Sequence, residues 1–246
     1  TEGEAMNLSG LVKSFLPQAG LPSTWRQKII ELPLGDHCYW PPESSALDNP
    51  NCAVEVFFAL GSLKDVRLRT MASLFVQIFS ESFFDTLRTN EQLGYIVTHG
   101  LREKGTLSGL RFMIQSERDP GFLNDRIEAF LAQNVPIVLD SLTATGWLQH
   151  CSSLRSELTQ KKKTLAGEAK SFWDAILSGN FDFERSWRDA DLLDGSTISK
   201  EHLMAFYEEF LKPGAPKRSK LCVQIWNEVS QPQRAKLAAE SVIVDR

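Results

Sequence analysis

Cysteine is sparse and never clustered. Cys38, Cys52, Cys151 and Cys222 form no C-x-x-C pair, which argues against a disulfide scaffold or a thiolate metal knuckle and for free buried thiols in a reducing compartment. Histidine is equally thin. His37, His99, His150 and His202 sit in neither H-x-x-E-H nor H-E-x-x-H, the spacings that put two imidazoles on one helix face around zinc. G-x-S-x-G, a P-loop and G-x-G-x-x-G are also missing, which leaves nucleophile-elbow and nucleotide chemistry without a motif. No apolar run is long enough to span a bilayer, and no charged-then-apolar leader opens the chain, so neither a membrane nor a secretory route is indicated and a cytoplasmic location is expected. A net charge of -4 offers no basic face for nucleic acid.

Of the 246 residues, 42% are hydrophobic and 24% charged, enough for a sizeable core and too apolar for disorder. The chain starts at Thr1 without methionine, and it is expected to be a piece of something longer. Residues 1–24 read as a helix and linker, with Met6, Leu8, Leu11, Val12 and Phe15 ahead of Pro17. A main domain is expected over 25–228 and a polar tail, fraying, over 229–246.

The apolar spacing from Lys64 to Leu87 is that of a core helix. Val66, Leu68, Met71, Leu74, Phe75, Ile78, Phe79, Phe83 and Leu87 fall at intervals of three and four. Beyond it the period changes to two. Tyr95, Val97 and His99 share one face of a predicted strand, and Leu110, Phe112 and Ile114 share one face of the next. Arg102-Glu103-Lys104-Gly105 is the predicted hairpin loop between them. Further strands are expected within 27–40, over 52–60 and over 220–226. Helices are expected from Pro120, with Asp119 as cap and Pro136 as a kink, over 147–163, 165–177 and 198–211 with Ser199 as cap, and a short element over 183–193. The pattern predicts an α+β fold: one mixed or antiparallel sheet with helices on one face.

Several side chains invite functional readings that the sequence does not favour. Lys161-Lys162-Lys163 reads as a solvated helix end. Asp189 to Gly195 begins like a calcium loop, but Leu193 stands fifth and Asp194 stands where glycine is required, so a solvated acidic turn is expected. His99 reads as a polar surface residue rather than a base. Glu55 is expected to pair with a basic residue of a helix or to face solvent.

The most specific signal lies at the corner between helix and strand. LRTNEQLGYIV (Leu87 to Val97), SGLRFMIQSE (Ser108 to Glu117), RIEAFL (Arg126 to Leu131), AKSFWDAILSGNFDFER (Ala169 to Arg185) and ISKEHLMAFYEEFL (Ile198 to Leu211) follow one another in an order that resembles the C-terminal half of the insulysin and pitrilysin family of zinc metallopeptidases. The resemblance runs from about Trp25 to Trp226. It implies an insulinase-like domain without zinc, whose partner is the N-terminal half carrying an inverted zinc motif; zinc would be bound there, and peptide would be enclosed between the halves. Arg88 and Tyr95 match the family's arginine and tyrosine that approach the peptide near the cut bond, and Gly94 would let peptide backbone come close. By residue type alone Arg88 is a cation at a helix C-terminus and Tyr95 a half-buried strand aromatic; the motif favours substrate contact for both. The fragment by itself is expected to be inactive, and a homodimer is possible. A non-catalytic scaffold or regulatory module of the same fold is the alternative, and an unrelated enzyme using His99 a third.

Overall fold

The computed structural model describes residues 1–15, 29, 32–42, 49–227 and 242–243. The architecture is the expected α+β layer pair. Six strands form one mixed sheet in the order β3-β4-β2-β5-β1-β6, with β1 Gly35–Trp40, β2 Cys52–Ser62, β3 Ile96–Lys104, β4 Leu107–Ser116, β5 Ser219–Ile225 and β6 Val242–Ile243. The run from β3 to β5 is antiparallel, and β1 lies parallel to both β5 and β6.

Strict alternation in β2 explains why one sheet face is core. Cys52, Val54, Val56, Phe58 and Leu60 are buried while the residues between them are half-exposed, as a period of two dictates. Val54, Val56 and Phe58 stand opposite Ile114, Phe112 and Leu110 of β4, all buried. Against this face lies α2 (Val66–Phe84), capped by Asp65, whose carboxylate accepts the Leu68 N–H at 3.0 Å. Met71, Leu74, Phe75, Ile78, Phe79 and Phe83 form its buried stripe. The rings of Phe83, Phe112, Phe130 and Phe58 pack edge-on or tilted at 5.1–5.8 Å.

The remaining helices are α1 (Glu2–Phe15), α3 (Pro120–Ala129), α4 (Val135–Ser141), α5 (Ala144–Thr159), α6 (Leu165–Leu177), α7 (Arg185–Asp191) and α8 (Lys200–Phe210). Asp119 caps α3 by accepting the Phe122 N–H at 2.9 Å, and Ser199 and His202 close a capping box on α8. Pro136 falls in the first turn of α4, just after a π-helical turn at Phe130–Asn134; proline offers no N–H to the carbonyl four residues back, so the expected kink takes the form of a widened turn. Neither α1 nor α6 buries a residue among those described.

Several expectations need correction. The hairpin loop is only Gly105-Thr106, with Gly105 at φ 55°; Arg102, Glu103 and Lys104 continue β3, paired with Gly109, Ser108 and Leu107 of β4. Arg102 Nη1 donates to Glu55 at 2.5 Å, so Glu55 pairs with a strand residue, not a helical one. Arg185 grips Glu103 with two donors. Helix α5 starts at Ala144, where Thr143 caps it, and ends at Thr159, which leaves Lys161 to Lys163 exposed in the connection to α6. Leu32 to Leu34 are not strand, and most of 16–31 lies outside the described residues. So does the tail over 228–241 and 244–246, but Val242 and Ile243 pair with β1 where fraying was expected. All four cysteines are buried and unbridged.

His99 is not a surface residue. It shares the helix-facing side of β3 with buried Val97, its ring 4.9 Å from that of Phe83 and 5.7 Å from that of Phe112, and its Nε2 lies 3.1 Å from the Val76 carbonyl. Burial pushes its pKa down to about 4, partly opposed by that hydrogen bond. An unfolded histidine titrates near 6.5, so between the two values the unfolded chain binds more protons and stability falls as pH falls. Acidification from pH 7 to 4 is expected to cost up to about 3 kcal/mol at this residue. His99→Phe should flatten that part of the stability profile, as measured by urea unfolding at stepped pH; parallel profiles for the two proteins would contradict it.

Candidate functional site

The corner is built by a change of helix type. Past Phe84, α2 widens into a π-helical turn, Asp85–Asn90, which keeps Leu87 buried and leaves Arg88 half-exposed. The Glu91 and Leu93 N–H groups then bond back to the Thr86 and Leu87 carbonyls, each at 3.0 Å. Between them Gln92 adopts φ 50°, a left-handed conformation unfavourable for a residue with a side chain and concentrated in turns and functional sites. Leu93 is buried, and β3 begins at Ile96.

Tyr95 therefore precedes the strand instead of lying on it, and it is 84% exposed, which corrects the expectation of a strand-borne, half-buried ring. Arg88 lies over it, with the guanidinium carbon 5.2 Å from the ring centre, a cation–π distance. Arg88 also donates from Nη1 to the Gly94 carbonyl. Seven residues apart in sequence, the two side chains form one exposed unit.

Gly94 serves the fold directly. A Cβ there would sit 1.9 Å from the Gln115 carbonyl oxygen of β4, so the close backbone approach expected of a peptide ligand is already made by the chain itself. Gly94→Ala is expected to destabilise by about 1–3 kcal/mol through overpacking, seen as a lower denaturation midpoint; an unchanged midpoint would mean that β4 shifts aside freely.

One feature of the corner had no separable signal in the sequence. Arg126 on α3 donates from Nε and Nη2 to the two carboxylate oxygens of Glu91, at 2.7 and 2.6 Å, across 35 positions of chain. Only the RIEAFL segment pointed toward Arg126, and it gave no partner. A cavity of about 1020 Å³ lies elsewhere, between α6, the hairpin tip and the end of α5. Neither Arg88 nor Tyr95 lines it.

The acidic stretch near α7 is solvated only in part: Asp191 and Asp194 are exposed and Asp189 is not. Asp189 is buried, accepting from Arg69 Nε at 2.6 Å, while Arg69 Nη1 donates to the Leu63 carbonyl at 2.7 Å. Asp194 is exposed and accepts the Thr197 and Ser196 N–H groups at 2.8 Å, bonds that hold its carboxyl well below the usual carboxylate range. Among the described residues no group of three His, Cys, Asp or Glu side chains could hold a metal ion, and His99 is enclosed by phenyl rings. Among the described residues the zinc implied by the family resemblance has no fitting site.

The profile of the C-terminal lobe domain 4 of PQQ synthase PqqF-like proteins matches residues 74–173, a span that includes the corner, the hairpin and α3. Human insulin-degrading enzyme is 36% identical over 175 residues, 71% of this chain and 17% of that protein. The A-factor-processing enzyme of Saccharomyces cerevisiae is 30% identical over 234 residues, 94% of this chain and 22% of that protein. The crystal structure of pitrilysin superposes with a TM-score of 0.66 at 21% identity, covering 85% of this chain and 24% of that one. The fold is that of the α+β domain found in pitrilysin. The chain belongs to the insulinase-like metallopeptidase family, as part of its C-terminal lobe. It spans about a fifth of the length of the curated relatives it matches. No helix among the described residues is long and apolar enough to cross a membrane.

Proposed function

We propose that this chain is the substrate-binding, chamber-closing domain of a zinc metalloendopeptidase that degrades small peptides. The observation that carries the reading is the Arg88–Tyr95 stack. An aromatic ring left 84% exposed contributes little to the core, yet its backbone is fixed by Gly94 against β4 and by Leu93 in the core. The corner thus offers a permanently charged fork and a phenol on a rigid support, the donors that hold a peptide carbonyl and the negative charge it gains during attack.

A relative named for degrading insulin supports a peptide as the substrate class. Zinc belongs to the N-terminal half, the partner of this domain in the same protein, and supplies the Lewis-acid chemistry of hydrolysis. This chain's own task is to bind and orient the peptide and to exclude water as the halves close. By itself it is inactive.

The test compares zinc content and cleavage of a quenched fluorescent peptide for this chain and for the full-length protein. Zinc and cleavage in the full-length protein alone are expected. A metal-free, inactive full-length protein would overturn the reading in favour of a scaffold or regulatory module of the same fold.

A further inference from the structure

We infer that the Glu91–Arg126 ion pair is the positioning device that sets Arg88 and Tyr95 at the angle needed for substrate. The inference rests on the reading that those two side chains contact the peptide.

Residues 91–95 belong to neither helix nor strand, and the described backbone bonds that hold them run from the Glu91 and Leu93 N–H groups to the Thr86 and Leu87 carbonyls. Leu93 in the core and Gly94 against Gln115 set the depth of the segment. To these backbone anchors Glu91 adds a side-chain one. The fork of Arg126 meets both carboxylate oxygens, and a two-point contact fixes direction as well as distance. Arg126 projects from a helix whose Leu123 and Ile127 are fully buried, so the clamp is tied to the core. Movement at Glu91 passes along the chain: Gln92, held at φ 50°, can relax, the Gly94 carbonyl turns, and the Arg88 guanidinium that donates to it follows.

The pair is a poor candidate for a purely stabilising contact. Its side chains keep 24% and 32% of their exposure, so solvent screens the attraction and the bidentate geometry leaves it a modest stabilising share. Its bidentate geometry is better accounted for by what it orients.

The experiment uses the full-length protein, with kcat and KM for a short peptide measured for Arg126→Ala, Glu91→Gln and the swap Glu91→Arg with Arg126→Glu, in the native and Arg88→Ala backgrounds. Each single change is expected to lower kcat/KM about tenfold, mainly through kcat, because small misplacements of a catalytic contact are costly, while Tm moves by no more than about 3 °C. In the Arg88→Ala background the same changes should cost less, about threefold, since only Tyr95 is left to position. The swap should recover activity to within about threefold of the native enzyme, because the two-point contact is re-formed. A loss of equal size in both backgrounds, or full activity in Arg126→Ala beside a slow Arg88→Ala enzyme, would overturn the positioning role alone. If Arg88→Ala is itself as fast as the native enzyme, the substrate-contact reading fails and this inference falls with it.

Discussion

Arg88→Ala in the full-length protein is expected to lower kcat/KM for a short peptide by roughly one to three decades, the scale of losing one preorganised donor at a developing oxyanion. Arg88 makes its described protein contacts within its own corner, a hydrogen bond to the Gly94 carbonyl and the stack on Tyr95. Removing its side chain leaves α2 and β3 packed as before, so a drop in rate would report lost substrate contact and not unfolding. The fall should appear in kcat more than in KM if the guanidinium acts chiefly on the transition state. Tyr95→Phe keeps the ring beneath Arg88 and removes only the hydroxyl, so its loss should be the smaller of the two. Lysine at position 88 should rescue poorly, since a point charge reproduces neither the fork nor the stack. Unchanged kinetics in Arg88→Ala would end the substrate-binding assignment.

Asp189→Asn is expected to destabilise the domain by about 3–5 kcal/mol, the cost of stranding one member of a buried ion pair. Arg69 is 1% exposed at its side chain and Asp189 8%; the nearest other carboxylate to Arg69 is Asp182, at 3.9 Å. Asparagine keeps the shape of the side chain and an acceptor oxygen but removes the charge, so the buried guanidinium is left with neutral carbonyl partners close by and no close carboxylate. For a chain of this size the loss corresponds to about 10 °C in Tm. Arg69→Met with Asp189→Leu should cost much less than the single change, because no charge is then buried. A single change that costs under about 1 kcal/mol would show that water reaches Arg69 and that the pair ties α7 to α2 only weakly.

The core was legible because it depends on period. The three-and-four spacing from Val66 to Phe83 and the alternation in β4 each leave one apolar face, and both faces are buried as expected. Caps at Asp119 and Ser199 were legible because a capping side chain bonds to backbone only a few residues away. His99 was misread because nothing beside it in sequence shows Phe83 and Phe112 closing over its ring. Asp189 was misread for the same reason. Its partner Arg69 is 120 positions away, and an acidic residue among other acids looks solvated until a distant arginine is brought to it.

By itself the sequence determined most of the elements, the α+β class and the family, and it pointed to the two residues proposed for substrate contact, since each of these is written in spacing or in a contiguous motif. Tertiary structure alone decided how those two residues are held. The π-helical turn that lets Arg88 lie over Tyr95, the Gln115 carbonyl that leaves no room for a side chain at Gly94, and the grip of Arg126 on Glu91 all join residues whose meeting depends on how the sheet and its helices pack. A periodic pattern specifies which face of an element is buried; which distant side chain meets it follows only when the faces come together.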